Sequence, residues 1–289
     1  MKILTRAAEM GSHASDCLNK NQRIAFVPTM GALHEGHLAL MRTARQHGDC
    51  VVVSIFVNPK QFNDPSDFKK YARDLDGDLK KCREVGVDCV FAPSESEIYP
   101  QHEKTKPVPL PEVAKPLEGV ARPGHFQGVA DVVSRLFTIV QPQSAVFGMK
   151  DYQQVRVIEE MVKEQKRNVK IIRHPTIREP DGLAMSSRNA RLSSSGRKNA
   201  LIIFKSLATA QSIVTTGERN RERVLQSVLN MLKSESGVKV DYVAVVDAIN
   251  LKENPHQNVP WLVSIAAFVE GVRLIDNCIL APSQVKNSG

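Results

Sequence analysis

Two histidines, His34 and His37, stand three residues apart, framed by glycines in the run Met30, Gly31, Ala32, Leu33, His34, Glu35, Gly36, His37. Imidazoles so spaced at the mouth of a helix can point the same way and donate hydrogen bonds to a phosphate. The glycines let the backbone turn tightly and approach a ligand, and a helix start adds N–H groups and the positive end of its dipole. The chemistry on offer is anion binding. The glycine spacing imitates a P-loop, but His37 and Leu38 stand where that loop needs lysine and a hydroxyl. A zincin metal pair is rejected as well, because its histidines are more widely spaced and its glutamate sits in another register.

Other groups suit a polyphosphate. Lys150 and Asp151 follow an apolar run at 144–148, where a lysine is a point charge for a phosphate and Asp151 is placed to cap the next helix. Met185, Ser186, Ser187 and Arg188 combine two hydroxyls with a planar guanidinium. Asp76 and Asp78, within the acidic segment 74–78, read as the solvated start of a charged helix.

Positioning these groups falls to an alternation of strands and helices. Residues 23–29 are a short apolar run, 37–46 carry Leu38, Leu40, Met41 and Ala44 at helical spacing, and 51–57 are almost continuously apolar and β-branched. Strand, helix and strand so arranged form a βαβ unit, and an apolar run of that kind suits a strand buried on both faces. The order continues as a helix at 68–85, a strand at 87–92, a proline-rich loop at 106–123, a helix at 128–140, a strand at 144–148, a helix at 151–164 and a strand at 169–172. The fold expected is α/β, a Rossmann-like doubly wound parallel sheet over residues 1–175. Residues 176–289 read as a smaller α+β domain, with helices at 199–215 and 219–234 before strands at 240–247, 263–269 and 273–280. Gly271 lies in the turn of a final hairpin. The histidine loop falls between the first of these strands and its helix, where open α/β sheets bind ligands.

At 289 residues the chain can bury a core without disulfide staples. Five cysteines, with no two-residue gap between any pair, read as reduced and mostly buried thiols of a cytoplasmic protein. Its apolar runs are far too short for a membrane span, and residues 1–10 lack a signal-peptide core. The net charge of +8 invites a nucleic-acid reading, yet five of the eight excess charges fall within 151–200. So local a concentration points to a pocket for a polyanion or to one exposed patch, and no nucleic-acid partner is expected.

Five strings carry a resemblance to a known family. His-x-Gly-His is a motif of nucleotidyltransferases and class I aminoacyl-tRNA synthetases. The longer string VPTMGALHEGHLAL at 27–40, with FVNPKQF at 56–62, GHFQGV at 124–129, GMKDYQQ at 148–154 and DGLAMSSRN at 181–189, resembles the pantothenate synthetases in particular. The resemblance implies a two-step ligase, in which the carboxylate of (R)-pantoate attacks the α-phosphorus of ATP and the amine of β-alanine then displaces AMP. It further implies Mg2+ with the nucleotide and a cytoplasmic homodimer, with residues 51–57 as interface material.

By the same resemblance His37, His34, Lys150 and Arg188 are the catalytic set. The ATP site takes in residues 30–37, Gly148, Met149, Lys150, Asp151, whose carboxylate is placed to reach the ribose, Ile177, and Met185, Ser186, Ser187 and Arg188. Gln61 and Gln154 are the pantoate residues, amides that supply donors and an acceptor without a competing charge. Met149 stands where many relatives carry glutamate, and no protein ligand is assigned to the metal. His125 and Arg122 belong to a matched string without a role of their own.

Overall fold

The computed structural model describes residues 1–100 and 106–281. The chain falls into two compact units, the first Met1–Ile177 and the second from Arg178 onward.

The first unit alternates as β1 (Lys2–Leu4), α1 (Ala7–Asn19), β2 (Ile24–Thr29), α2 (Glu35–His47), β3 (Cys50–Ile55), α3 (Pro65–Lys70), α4 (Leu75–Glu84), β4 (Cys89–Phe91), α5 (Glu95–Ile98), α6 (Glu118–Ala121), α7 (His125–Val140), β5 (Ser144–Gly148), α8 (Tyr152–Glu164) and β6 (Lys170–His174). The strands form one parallel sheet in the order β1-β4-β3-β2-β5-β6. Successive side chains of a strand point to opposite faces, and both faces here are buried. Ile24, Phe26, Val52, Phe91, Ala145 and Phe147 share one core with residues of α1, α7 and α8, whereas Ala25, Val27, Val53, Val90 and Val146 share another with residues of α2 and α4. β3 lies on one side of β2 and β5 on the other, so strand order reverses at β2. The loop leaving β2 therefore opens at the crevice where doubly wound sheets take ligands.

The second unit holds α9 (Ser194–Thr215), α10 (Arg221–Lys233), β7 (Val238–Asp247), β8 (Trp261–Val269) and β9 (Val272–Leu280). Its strands form an antiparallel sheet in chain order, packed with the two helices around Trp261, Ile203, Leu207 and Val228. The β8–β9 hairpin turns through Glu270 at φ 51° and Gly271 at φ 75°, the paired left-handed conformation that suits the twist of a two-residue hairpin. No helix among the described residues is long and apolar enough to cross a membrane.

Several expectations are corrected. Strand β1 and helix α1 were not anticipated. The single helix expected at 68–85 is two, because Tyr71 turns extended (ψ 125°) and Asp74 accepts a hydrogen bond from the Gly77 N–H at 3.0 Å to start a new one. The loop at 106–123 contains a 3-10 turn at Glu112–Ala114 as well as α6. Val51, Val52 and Val53 are at most 1% exposed in an interior strand, so they offer nothing to a partner subunit. The basic excess at 151–200 does not line one pocket: Arg156 and Arg173 pair with Glu159, Arg178 with Asp276 and Arg197 with Asp181. Arg167, just past the end of α8, donates to Gln165, Ser134 and Thr138.

Candidate active site

The loop leaving β2 is shaped by its own side chains and by α4. The Thr29 hydroxyl donates to Ser54 O at 2.7 Å and accepts from the Gly31 N–H at 3.2 Å. Gly31 (φ 79°) and Ala32 (φ 51°) then adopt left-handed backbone, which only glycine takes without cost. Asp78 holds that turn in place, accepting from the Ala32 N–H at 2.8 Å through one oxygen and from the Leu33 N–H at 2.7 Å through the other. The Lys81 ammonium donates to Leu33 O at 2.7 Å. Asp78 is thus no solvated helix start, for it is 1% exposed and its burial raises the carboxyl above the usual carboxylate range, against the pull of the two N–H groups. Its engagement also means that the Ala32 and Leu33 amides are taken, leaving α2's first turn and the nearby side chains to meet an anion.

His34 precedes α2 and His37 lies in its first turn, their ring centroids 4.1 Å apart. The His34 backbone N–H donates to His37 Nδ1 at 3.3 Å, so in the neutral ring Nε2 carries the proton and is the donor. His34 Nδ1 is buried with no hydrogen-bond partner among the described residues. Burial, with the positive charges of Lys150 and Lys81, lowers His34 to about 4; burial, His34 and the same lysines lower His37 to about 3. Both rings are neutral at pH 7 and stand in the field of two ammonium groups. Glu35 turns away to pair with Arg42, and Gly36 lies within the helix.

At the end of β5, a 3-10 turn (Met149–Asp151) carries Lys150, whose Nζ is 3.8 Å from Asp151 Oδ2. The Asp151 side chain makes no capping bond to α8, contrary to one expectation, which leaves it directed at Lys150. Met149, only partly buried, packs its thioether against the first unit's core. Gln61 is 8% exposed and is held from several sides. Its Oε1 accepts from Asn58 Nδ2 at 3.0 Å, its Nε2 reaches the Met30 sulfur at 3.0 Å, and its carbonyl meets His125 Nδ1 at 2.8 Å and Arg122 at 3.2 Å. The His125 and Arg122 of the GHFQGV string thus brace Gln61. Of the two glutamines in the GMKDYQQ string, Gln153 is structural, its amide tied to Val113 O, Pro116 O and the Glu118 N–H, while Gln154 is only partly buried.

Ile177 ends the first unit, and the residues from Met185 to Arg188 belong to the second. There Ser186 accepts from the Arg188 N–H at 3.2 Å to start a 3-10 turn (Ser187–Arg191), and Asn189 donates to Ala184 O at 3.0 Å. Sequence reasoning missed Asp78 as a clamp, and Lys81, Asn58 and Gln153 altogether. An acidic residue and a lysine one helical turn apart was the only signal for the first two.

Two consequences can be tested at this site. A Cβ on Gly128 would lie 2.3 Å from Lys60 O and 2.6 Å from Gln61 N, where backbone cannot move aside. Gly128→Ala is expected to lose about 1–3 kcal/mol, the usual range for overpacking, and to shift Gln61; a thermal unfolding midpoint equal to wild type contradicts this. Secondly, His34, His37 and His125, the last lowered to about 4 chiefly by burial and next by Arg122, all bind protons more weakly in the fold than the ordinary 6.5. Their contribution to stability is complete above pH 6.5 and is lost as pH falls toward 4 and below, since the unfolded chain gains the protons first. Unfolding midpoints measured from pH 7.5 downward should fall in that window, well before most carboxylates titrate.

A parallel doubly wound sheet with a His-x-Gly-His loop at its switch point defines an α/β protein whose candidate ligand site lies at the carboxyl end of β2. Within that class the profile described as pantoate-beta-alanine ligase matches residues 2–279, and the chain belongs to that family. It is 46% identical over 280 residues to a pantothenate synthetase of Thermotoga neapolitana, covering 97% of this chain and 100% of that one. A pantothenate synthetase of Syntrophobacter fumaroxidans is 46% identical over 283 residues, 98% of this chain and 100% of its own. Among solved structures, a pantothenate synthetase of Thermus thermophilus superposes with a TM-score of 0.89 at 38% identity over 98% of this chain and 100% of that one. A pantoate-beta-alanine ligase of Francisella tularensis, complexed with beta-gamma ATP and beta-alanine, gives 0.80 at 38% identity with the same coverage.

Proposed function

We propose that the chain joins (R)-pantoate to β-alanine at the expense of ATP. A pantoate carboxylate oxygen attacks the α-phosphorus and the bond to the β-phosphate oxygen breaks, giving pantoyl adenylate and pyrophosphate. The amine of β-alanine then attacks the acyl carbon, AMP leaves, and the amine gives up a proton. The observation that carries this reading is the buried, unpartnered Nδ1 of His34 beside a neutral His37, both in the field of Lys150 and Lys81.

In-line transfer at phosphorus asks chiefly for positioning and for stabilisation of developing charge. His37 supplies an Nε2–H donor whose orientation the His34 amide sets, and His34 supplies a second ring whose Nδ1 awaits a partner. Lys150 and Arg188 neutralise phosphate charge, with Met30, Gly31, Ala32, Leu33, Glu35, Gly36, Gly148, Asp151, Ile177, Met185, Ser186 and Ser187 shaping the nucleotide site. A carboxylate nucleophile needs no general base, which agrees with imidazoles that stay unprotonated and act as donors. Gln61 and Gln154 hold the pantoate hydroxyls and carboxylate.

Mg2+, when bound, neutralises triphosphate charge. Asp78 has both oxygens engaged by backbone N–H groups, so it is not assigned as a ligand, and no other side chain is assigned to the ion. A cytoplasmic homodimer completes the proposal.

The test is a coupled assay in which pyrophosphate release requires pantoate and AMP release requires β-alanine. Pyrophosphate formed without pantoate, or AMP without β-alanine, would overturn the reading. In the same assay Gln154→Ala is expected to raise the KM for pantoate about tenfold or more, the worth of about 1.4 kcal/mol, with the KM for ATP little changed. An unchanged pantoate KM would remove this contact.

A further inference from the structure

Far from the histidine loop, a second set of ligating side chains meets at the opposite end of the sheet. Ligand loops of parallel sheets lie beyond the carboxyl ends of the strands, whereas Cys50 is the first residue of β3. Over it lies α1, carrying His13 and, one turn later, Cys17. His13 Nε2 is 3.9 Å from Cys17 Sγ and 3.8 Å from Cys50 Sγ, and the three ligand atoms all fall within 4.8 Å of one another. A tetrahedral zinc centre with bonds of about 2.3 Å to sulfur and about 2.0 Å to nitrogen has ligand-to-ligand edges of roughly 3.5–3.8 Å. The chain therefore holds two N···S edges of such a centre within a few tenths of an ångström before any ion arrives.

We propose that His13, Cys17 and Cys50 form a binding site for a thiophilic divalent cation of the zinc class. The charge balance selects the ion: two thiolates neutralise a divalent cation, so the occupied site adds no net charge to a place where Cys17 and Cys50 are 4% and 5% exposed. A monovalent soft cation would leave one negative charge buried. His13 is only partly buried, and its side opens the route by which the ion enters and the fourth position that water fills. On binding, each thiol passes its proton to solvent and Nε2 donates its lone pair, so Nδ1 then carries the ring proton. The Lys2 ammonium, 3.3 Å from Nδ1 and exposed, opposes that tautomer and must turn away. Without the ion, burial and the neighbouring Cys17 push the Cys50 thiol up to about 12, so Cys50 gives up its proton only when a cation displaces it.

The full chain, reduced and stripped with a chelator, is titrated with Co2+ as a spectroscopic probe. One equivalent should bring up a thiolate-to-cobalt charge-transfer band and tetrahedral d–d bands, both abolished by one equivalent of Zn2+. Cys17→Ser and His13→Gln should weaken binding at least tenfold, while Cys278→Ser, in the second unit and no part of the cluster, should leave it unchanged. Lys2→Gln, at an exposed residue whose loss leaves the core intact, should tighten binding severalfold because its amide oxygen can accept the Nδ1 proton. The assignment is overturned by the absence of a charge-transfer band, by the same titration in Cys17→Ser, or by unchanged or weaker binding in Lys2→Gln. A stripped protein that instead loses two hydrogens in mass on air exposure and takes up no cobalt would be a disulfide pair and would overturn it as well.

Discussion

His37→Ala is expected to yield a folded protein whose kcat for pantoate-dependent pyrophosphate release falls by about a hundredfold to a thousandfold, the range seen when one preorganised donor to developing charge is removed. The ring's structural duty is small: it accepts one hydrogen bond, from the His34 amide at 3.3 Å, and replacing it costs about 1 kcal/mol of stability. Its chemical duty is larger, because that one bond fixes the tautomer and so makes Nε2 a donor. Burial and the positive neighbours that hold it neutral also ensure that this donor persists across the whole neutral range. A purified variant with wild-type circular dichroism and a rate within threefold of wild type would remove His37 from the reacting centre. His37→Gln, which keeps a donor at similar reach, should recover part of the loss.

Asp78→Ala has the largest effect expected on the scaffold. Both carboxylate oxygens are engaged, and deleting them leaves the Ala32 and Leu33 N–H groups without their partner beneath the loop. Each buried donor so orphaned costs about 1–3 kcal/mol, which for the pair is a large share of the 5–15 kcal/mol, roughly, by which a domain is stable. An unfolding midpoint lower by about 5–15 °C follows for a domain of this size. The left-handed turn at Gly31 and Ala32 loses what holds it, so the KM for ATP should also rise in the enzyme that remains folded. Asp78→Asn should fall between the two, since its amide nitrogen meets one of the N–H groups as a second donor. A midpoint within a degree of wild type in Asp78→Ala would show that the loop keeps its shape by other means.

What could be read from the chain and what could not follows the range of the interactions. The strand at 50–55 announces itself because both its faces are buried, so every residue from Cys50 to Ser54 is excluded from solvent. His34 and His37 were legible because glycines, imidazoles and helix start are consecutive. Asp78 was not, because its partners lie more than forty residues earlier, and nothing distinguishes it locally from the acidic first turn that Asp76 also occupies. Gln61 looks like a surface amide until His125 and Arg122, distant in sequence, close over its carbonyl. Helix α1 escaped notice because Gly11, Ser12, His13, Ser15 and Asp16 mask the spacing of Met10, Ala14 and Cys17. The charge count misled for a related reason: Arg156, Arg173, Arg178 and Arg197 find carboxylates only in three dimensions.

The strand order of the first unit also dictates a timetable of synthesis. β2 emerges early, yet its neighbour β5 pairs Ala25 with Ser144 and Phe26 with Ala145, and β1 waits for β4 to pair Lys2 with Cys89. At about 5–20 residues per second, the ribosome leaves β2 without that neighbour for roughly ten seconds. The hairpin of the second unit, where Val269 faces Val272, closes almost as soon as it appears. Apolar strands exposed for so long are targets for aggregation, so the need for chaperone protection should fall on nascent chains that end before β5 and should fade once β6 has cleared the exit tunnel.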